Sequence, residues 1–315
     1  MSSTNRARPR PVCTRLLVEI GVTLSPTSSN PSNRTIKVKG YRLHVTIRPG
    51  ESRPEVKQTP LLLINGIGAN LELLQPVVDA LDPTIEVIRF DVPGVGASPA
   101  PLLPYRPVAL AWLIMQMLKQ LGYAQVDVLG ISWGGGMAQQ FARQYSRYCR
   151  RLVLVSTSMG MLMVPGHPRA LLKLATPHRY IDQSYMEMVA PDLYGGSARS
   201  DPEMIRGLTK NLRAVSTRGY LYQLLAGVGW TSLPWLPFIQ QPTLIMAGND
   251  DPIIPLVNAK IMQRLIPHAQ LHVFNGGHLG LITHATELVP IVAQFLRDGA
   301  KPVSANHSGV SDKSA

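Results

Sequence analysis

Ser132, Asp251 and His278 are the residues whose types and settings could do chemistry. Ser132 lies in Gly130-Ile131-Ser132-Trp133-Gly134. The apolar residues Val126, Val128 and Leu129 precede it, and the helical spacing Met137, Ala138, Phe141, Ala142, Tyr145 follows at once. Strand, G-x-S-x-G and helix in that order expose a serine hydroxyl at a strained turn above a sheet. Such a turn crowds its neighbours, so Gly130 and Gly134 leave side-chain volume out. Asp251 sits in Gly248-Asn249-Asp250-Asp251-Pro252, after the apolar run 242–247, and His278 ends Asn275-Gly276-Gly277-His278, after the run 271–274. A neutral hydroxyl is a poor nucleophile, so His278 would take its proton. Asp251 would fix the imidazole tautomer and stabilise the cation that forms. Asp250 competes for that role, but the Gly-x-x-Asp-Pro spacing from Gly248 favours Asp251. The chemistry is acyl transfer through an acyl-enzyme, with water, an alcohol or a thiol as acceptor.

Acyl transfer also needs donors for the developing oxyanion. The continuous apolar run 61–64 reads as a strand buried on both faces, and Asn65-Gly66-Ile67-Gly68 follows it. Its glycines let backbone N–H groups approach a ligand closely. The N–H groups of Ile67 and Trp133 are the candidate oxyanion donors, and Asn65, Gly66, Gly68 and Trp133 the candidate substrate contacts. The helix N-terminus behind Ser132 adds partial positive charge. A plain strand-to-helix turn at 65–68 is the competing reading. The remaining histidines, His44, His167, His178, His268, His272, His284 and His307, lack a glycine-flanked loop after a strand and read as packed or surface groups.

These groups need elements to hold them. Alternation over 36–48 predicts an antiparallel hairpin. Helical patterns cover 71–81, 110–121 and 282–297, and strands cover 86–90 and 151–155. Asp91 opens a glycine-rich turn and is expected to accept its backbone N–H groups. From 159 to 240 the alternation breaks, with helical stretches at 204–214 and 220–225 and much Met, Leu, Tyr, Trp and Pro. The order Ser…Asp…His, each in a loop after a strand, is that of α/β-hydrolases. The expected fold class is therefore α/β: a mostly parallel central sheet flanked by helices, with a helical lid after the strand following the serine turn. The expected divisions are a basic extension without order at 1–34, a core at 35–157 and 241–297, a lid at 158–240 and a tail without order at 298–315.

The 315 residues are 45% hydrophobic and 16% charged, which suits one large α/β domain, or a core plus a lid. No apolar run is long enough for a transmembrane helix, and no secretory signal is evident. Cys13 and Cys149 make neither a disulfide framework nor a metal spacing; Cys149 is expected to close the helix after Ser132. This usage fits a reducing cytoplasm. The net charge of +12 draws the protein to anionic surfaces, but no nucleic-acid module is present. No metal-ligand spacing and no dinucleotide fingerprint appears, so no cofactor is expected.

The chain resembles the intracellular medium-chain-length polyhydroxyalkanoate depolymerases from about residue 35 to 297. The resemblance rests on LLLINGIGANLEL (61–73), FDVPGVGASPAP (90–101), GISWGGGMAQQFA (130–142) and QPTLIMAGNDDPIIPLVN (241–258). It rests also on IPHAQLHVFNGGHLGLIT (266–283) and, most specifically, on YGGSARSDP (194–202) and GWTSLPWL (229–236). It implies a storage polyester of 3-hydroxyalkanoic acids as substrate and cytoplasmic granules as location, with their hydrophobic surface as the partner. It places the nucleophile, acid and base on Ser132, Asp251 and His278, and the oxyanion loop on 65–68. The alternative is a lid-bearing thioesterase or acyltransferase working on hydroxyacyl groups of coenzyme A or acyl carrier protein. A granule-structural protein without activity is a third reading, against which the intact Ser132, Asp251 and His278 set argues. The sequence sets no oligomeric state.

Overall fold

Two residues with left-handed backbone open the fold. Lys39 (φ 47°) and Gly40 (φ 89°) form the tight turn that a two-residue hairpin requires. They join β1 (Ser32–Val38) to β2 (Tyr41–Arg48), with Val38 opposite Tyr41. The computed structural model of the protein describes residues 32–51, 58–209 and 216–298. The expected extension and tail, and Cys13, fall outside these residues, except that Ser32 to Arg34 already run in β1 and Asp298 ends the last helix.

Six further strands complete one sheet: β3 (Leu61–Ile64), β4 (Val87–Phe90), β5 (Val126–Ile131), β6 (Cys149–Val155), β7 (Thr243–Gly248) and β8 (Ala269–Phe274). Their order is β1-β2-β4-β3-β5-β6-β7-β8. β2 is antiparallel to both neighbours, and every pairing beyond β4 is parallel. The strand order reverses at β3 and β5. In open α/β sheets the crevice beyond the carboxyl ends of such strands is where ligands bind. Both loops expected to hold an oxyanion leave the sheet there.

Period-two alternation of apolar residues splits the core into two layers. Leu62, Ile64, Val128, Leu154 and Ile245 face one side. They meet α2 (Pro107–Gln120) and α3 (Trp133–Gln144). Leu61, Leu63, Leu129, Val153 and Met246 face the other, against α1 (Gln75–Ala80). Between β6 and β7 the chain leaves the sheet for a helical insert. It contains α4 (Pro168–Leu174), α5 (His178–Ile181), α6 (Gln183–Tyr194), α7 (Pro202–Thr209) and α8 (Thr217–Gly227). The insert has its own small core of Met186, Val189, Leu193 and Ile205, capped by Ile253 from the sheet domain. Then α9 (Leu256–Leu265) covers the first layer, and α10 (Gly280–Thr283) with α11 (Ala285–Asp298) the second. No helix among the described residues is long and apolar enough to cross a membrane.

Three expectations need correction. The helix expected over 71–81 begins as a 3-10 turn, Leu71–Leu74, and becomes α-helical only where Pro76 supplies a preset φ near its first turn. The closing helix divides at His284, whose ψ of 40° interrupts the α geometry. Cys149 does not close α3. That helix ends at Gln144, and a turn closed by Tyr148 N–H to the Tyr145 carbonyl swings the chain back, so Cys149 pairs with Val126 as the first residue of β6. The thiol is buried, and that burial pushes its pKa up.

Candidate active site

Ser132 stands alone between β5 and α3, with φ 54° and ψ −121°. A serine in such backbone costs on the order of 1–3 kcal/mol and persists only when its surroundings over-determine it. Here its N–H donates to the Val155 carbonyl (2.9 Å), and its carbonyl accepts from Thr157 Oγ1 (2.7 Å) and Gly135 N–H (2.9 Å). Gly134 lets α3 press against the end of β3: a Cβ there would run into the carbonyl oxygens of Ile64 and Asn65. At Gly130 a Cβ would strike the Gly134 carbonyl and Ala138.

The loops after β7 and β8 bring the acid and the base together. His278 Nδ1 and Asp251 Oδ2 are 2.7 Å apart, and both side chains are buried. The other Asp251 oxygen accepts the N–H groups of Ile253 and Ile254, each at 2.9 Å. Every acceptor position of this carboxylate that matters for orientation is therefore occupied, and the imidazole is aimed by it. His278 lines one cavity with Ser132, Ile67 and Asn65. The Ser132 hydroxyl has no hydrogen-bond partner among the described residues.

Asp250 faces elsewhere. It accepts both arms of the Arg199 guanidinium, Nε and Nη2, at 3.0 Å each, and the Gly196 N–H at 2.7 Å. Burial alone would raise its pKa, but these donors outweigh it and hold the carboxyl below the usual range. Asp91 also behaves as its turn suggested. It accepts N–H groups from Leu71 and Ala97, and it pairs with His44 at 2.8 Å. His44 and Asp91 thus make a second buried histidine–carboxylate pair that does not line the Ser132 cavity.

The Ile67 and Trp133 N–H groups have no protein acceptor among the described residues, as oxyanion donors require. The four expected substrate contacts divide. Asn65 and Gly66 line the cavity. The Asn65 amide is occupied within its own loop, donating to the Asn70 carbonyl (2.6 Å) and accepting the Gly66 N–H (2.8 Å). The Gly68 N–H is taken by Gln223 Oε1 (2.8 Å), and a Cβ there would collide with the rings of Tyr180 and Tyr220. Gly68 thus meets the insert rather than the cavity. Trp133 lines a second, larger cavity, and its indole N–H donates to the Gln223 carbonyl (3.0 Å).

The two cavities flank Ser132. The smaller, about 60 Å³, is lined by Ser132, Ile67, His278, Arg179, Tyr194 and Ile205. The larger, about 510 Å³, is predominantly apolar and is lined by Ser132, Trp133, Met137, Met161, Met163 and Trp230. Sequence reasoning missed several groups here, all from the insert. Tyr194 stacks on the His278 ring (6.4 Å between centroids), and its carbonyl accepts the His278 N–H (2.7 Å). Tyr180 donates its hydroxyl to the Ile67 carbonyl (2.8 Å). The segment quoted as YGGSARSDP held a signal for Tyr194 and Arg199; Arg179 and Gln223 had none. Among the described residues, no group of three or more His, Cys, Asp or Glu is placed to hold a metal ion.

The chain is similar to known proteins in sequence and in fold. A family model for the alpha/beta hydrolase fold matches residues 59–285. A poly(3-hydroxyalkanoate) depolymerase of Ectopseudomonas oleovorans is 50% identical over 264 residues, covering 84% of this chain and 92% of that protein. Among solved structures, the enol-lactonase of Burkholderia xenovorans LB400 superposes with a TM-score of 0.71 at 22% identity, over 84% of this chain and 99% of that one. A thermophilic esterase from Thermogutta terrifontis also gives 0.71, at 21% identity over 86% and 100%. These two likenesses bear on the fold alone. By the family match and the 50% identity, the chain belongs to the α/β-hydrolase family and, within it, to the family of that poly(3-hydroxyalkanoate) depolymerase.

Proposed function

We propose that the protein is a serine hydrolase that cleaves ester bonds of intracellular medium-chain-length poly(3-hydroxyalkanoate). The observation that carries this reading is the setting of Ser132: a strained turn between a cavity shared with the Asp251-paired His278 and a larger apolar cavity. The 50% identity to a depolymerase supports the polymer as substrate. His278 takes the proton as Ser132 Oγ attacks the ester carbonyl. The tetrahedral oxyanion is met by the N–H groups of Ile67 and Trp133, each contributing about 3–4 kcal/mol by analogy with donor deletions elsewhere. Collapse breaks the ester C–O bond, and His278 returns its proton to the leaving hydroxyl. Water then hydrolyses the acyl-enzyme by the same steps. The larger cavity, lined by methionines and tryptophans, suits the aliphatic side chain of a 3-hydroxyacyl unit. Residues 158–240 act as the lid that closes over it, and the granule surface is the place of work.

The test is clearing of an emulsified medium-chain polymer by the purified protein, with Ser132→Ala beside it. Clearing that is lost in the variant is the expected outcome. A protein that leaves the polymer intact but turns over hydroxyacyl thioesters would move the substrate to acyl carriers.

A further inference from the structure

Arg179 is a charge buried where ester hydrolysis by Ser132 and His278 needs none. It belongs to α5, is 3% exposed, and lines the 60 Å³ cavity with Ser132, Ile67 and His278. Its guanidinium lies over the rings of Tyr180 (4.6 Å) and Tyr220 (5.3 Å). Nη1 donates to the Tyr220 hydroxyl (2.8 Å) and reaches the Thr176 carbonyl at 3.5 Å. All of these partners are neutral. Nε is buried without a partner, and no carboxylate lies within ion-pair distance among the described residues.

Arg89, equally buried, donates to the Leu71 carbonyl and to Gln75 Oε1, and two less buried arginines are answered more fully. Arg150 forks onto Asp127, and Arg48 donates to four backbone carbonyls. A buried cation without a counter-charge is costly, and aromatic faces offset only part of that cost. A guanidinium among the lining of a cavity is suited to receive a carboxylate by charge-assisted N–H bonds. The cavity, about 60 Å³, admits a carboxylate with the methylene beside it. In a poly(3-hydroxyalkanoate) a free carboxylate occurs at the acid end of the chain. There it stands two carbons from the last ester oxygen, a spacing short enough for one cavity to hold both.

We propose that Arg179 receives the carboxylate at the acid end of a 3-hydroxyalkanoate chain, so that Ser132 cleaves the last ester bond. This rests on the depolymerase reading above. The step balances as ordinary ester hydrolysis. The bond from Ser132 Oγ to the penultimate acyl carbon forms, the ester C–O bond breaks, and the last unit leaves as a 3-hydroxy acid with the proton from His278. Water releases the acyl group, which becomes the new carboxylate end. Each turnover therefore creates the group that Arg179 binds next.

The experiment uses the Ser132→Ala protein and a matched pair of ligands, the 3-hydroxyoctanoate dimer as free acid and as methyl ester. Calorimetry at neutral pH is expected to show the acid binding roughly tenfold to a hundredfold more tightly. Adding Arg179→Met should bring the acid down to the level of the ester, and an acid preference that survives it overturns the assignment to Arg179. If that double variant does not fold, the acid–ester comparison on Ser132→Ala decides alone. Equal binding of acid and ester, or undetectable binding of the acid, overturns the proposal. Polymer clearing by the wild-type protein would then leave the depolymerase reading standing. Acid preference in a protein that clears no polymer would instead keep the carboxylate receptor and remove the depolymerase reading.

Discussion

Asp250 and Asp251 are neighbours in sequence with opposite surroundings. The Asp251 side chain is buried against His278 and two backbone N–H groups, whereas Asp250 is half exposed and grips Arg199 and Gly196 of the insert. Asp251→Asn should lower kcat by roughly a thousandfold to ten-thousandfold, since an amide cannot hold the productive imidazole tautomer and stabilise its cation. Asp250→Asn should change kcat on a soluble aryl ester by less than tenfold. The reverse ranking would move the acid to Asp250. The effect of Asp250→Asn on stability should itself depend on pH. The Asp250 carboxyl is held below its ordinary value of 3.8, so its contribution is present above about pH 4 and is lost as acid titrates the folded protein. Thermal unfolding of wild type and Asp250→Asn should therefore differ at pH 7, and the difference should shrink as the pH falls below about 4. Convergence at high pH instead would reverse the sign of this linkage.

The strands and their end loops were legible because each buried parallel strand is a short apolar run that stops at a glycine-bearing turn. Leu61–Ile64 and Val126–Ile131 carry that signature, and so the loops leaving the switch point could be named from residue types. Elements whose register depends on tertiary packing were not legible. The start of α9 carries no side-chain cap, since Pro255 precedes it, so its boundary was not marked by a capping residue. The insert was legible as helical but not in its inward-facing polar groups. Gln223 lies in α8 among ordinary helix formers, yet it is 1% exposed. From one side chain and its own carbonyl it ties the Gly68 N–H to the Trp133 indole, and so links the two loops that present Ile67 and Trp133. It touches neither cavity and acts as a positioning residue. Gln223→Leu removes the acceptor for Gly68 and should lower kcat on an aryl ester roughly tenfold, the scale of one buried hydrogen bond. KM should stay within about threefold, and Gln223→Glu, which keeps the acceptor, should recover part of the loss. A rise in KM with kcat unchanged would mean that Gln223 shapes substrate binding instead.

Across the whole molecule, the insert carries most of the exposed large hydrophobic side chains among the described residues. Leu172, Ile181 and Met188 are each more than half exposed, and Met161, Leu162 and Phe238 join them. An exposed apolar surface beside a binding cavity is suited to a hydrophobic particle. The insert is also braced on the catalytic core. Trp230 donates its indole N–H to Gln140 (2.9 Å), Ser232 donates to Gln139 (2.6 Å), and Arg199 clasps Asp250. Adsorption through the insert would thus hold the crevice near the polymer without unfolding the site. Burying one leucine or methionine side chain is worth about 1.5–3 kcal/mol, so placing a charge at two of them should weaken adsorption by tenfold or more. Leu172→Asp combined with Met188→Asp is therefore expected to slow clearing of the polymer emulsion and reduce the fraction that sediments with it. Both side chains point away from the core, so turnover of a soluble aryl ester should remain within about twofold of wild type, in line with surface substitutions generally. Equal losses on emulsion and soluble ester would show that these residues support the catalytic fold. Unchanged clearing would move the docking surface off the insert.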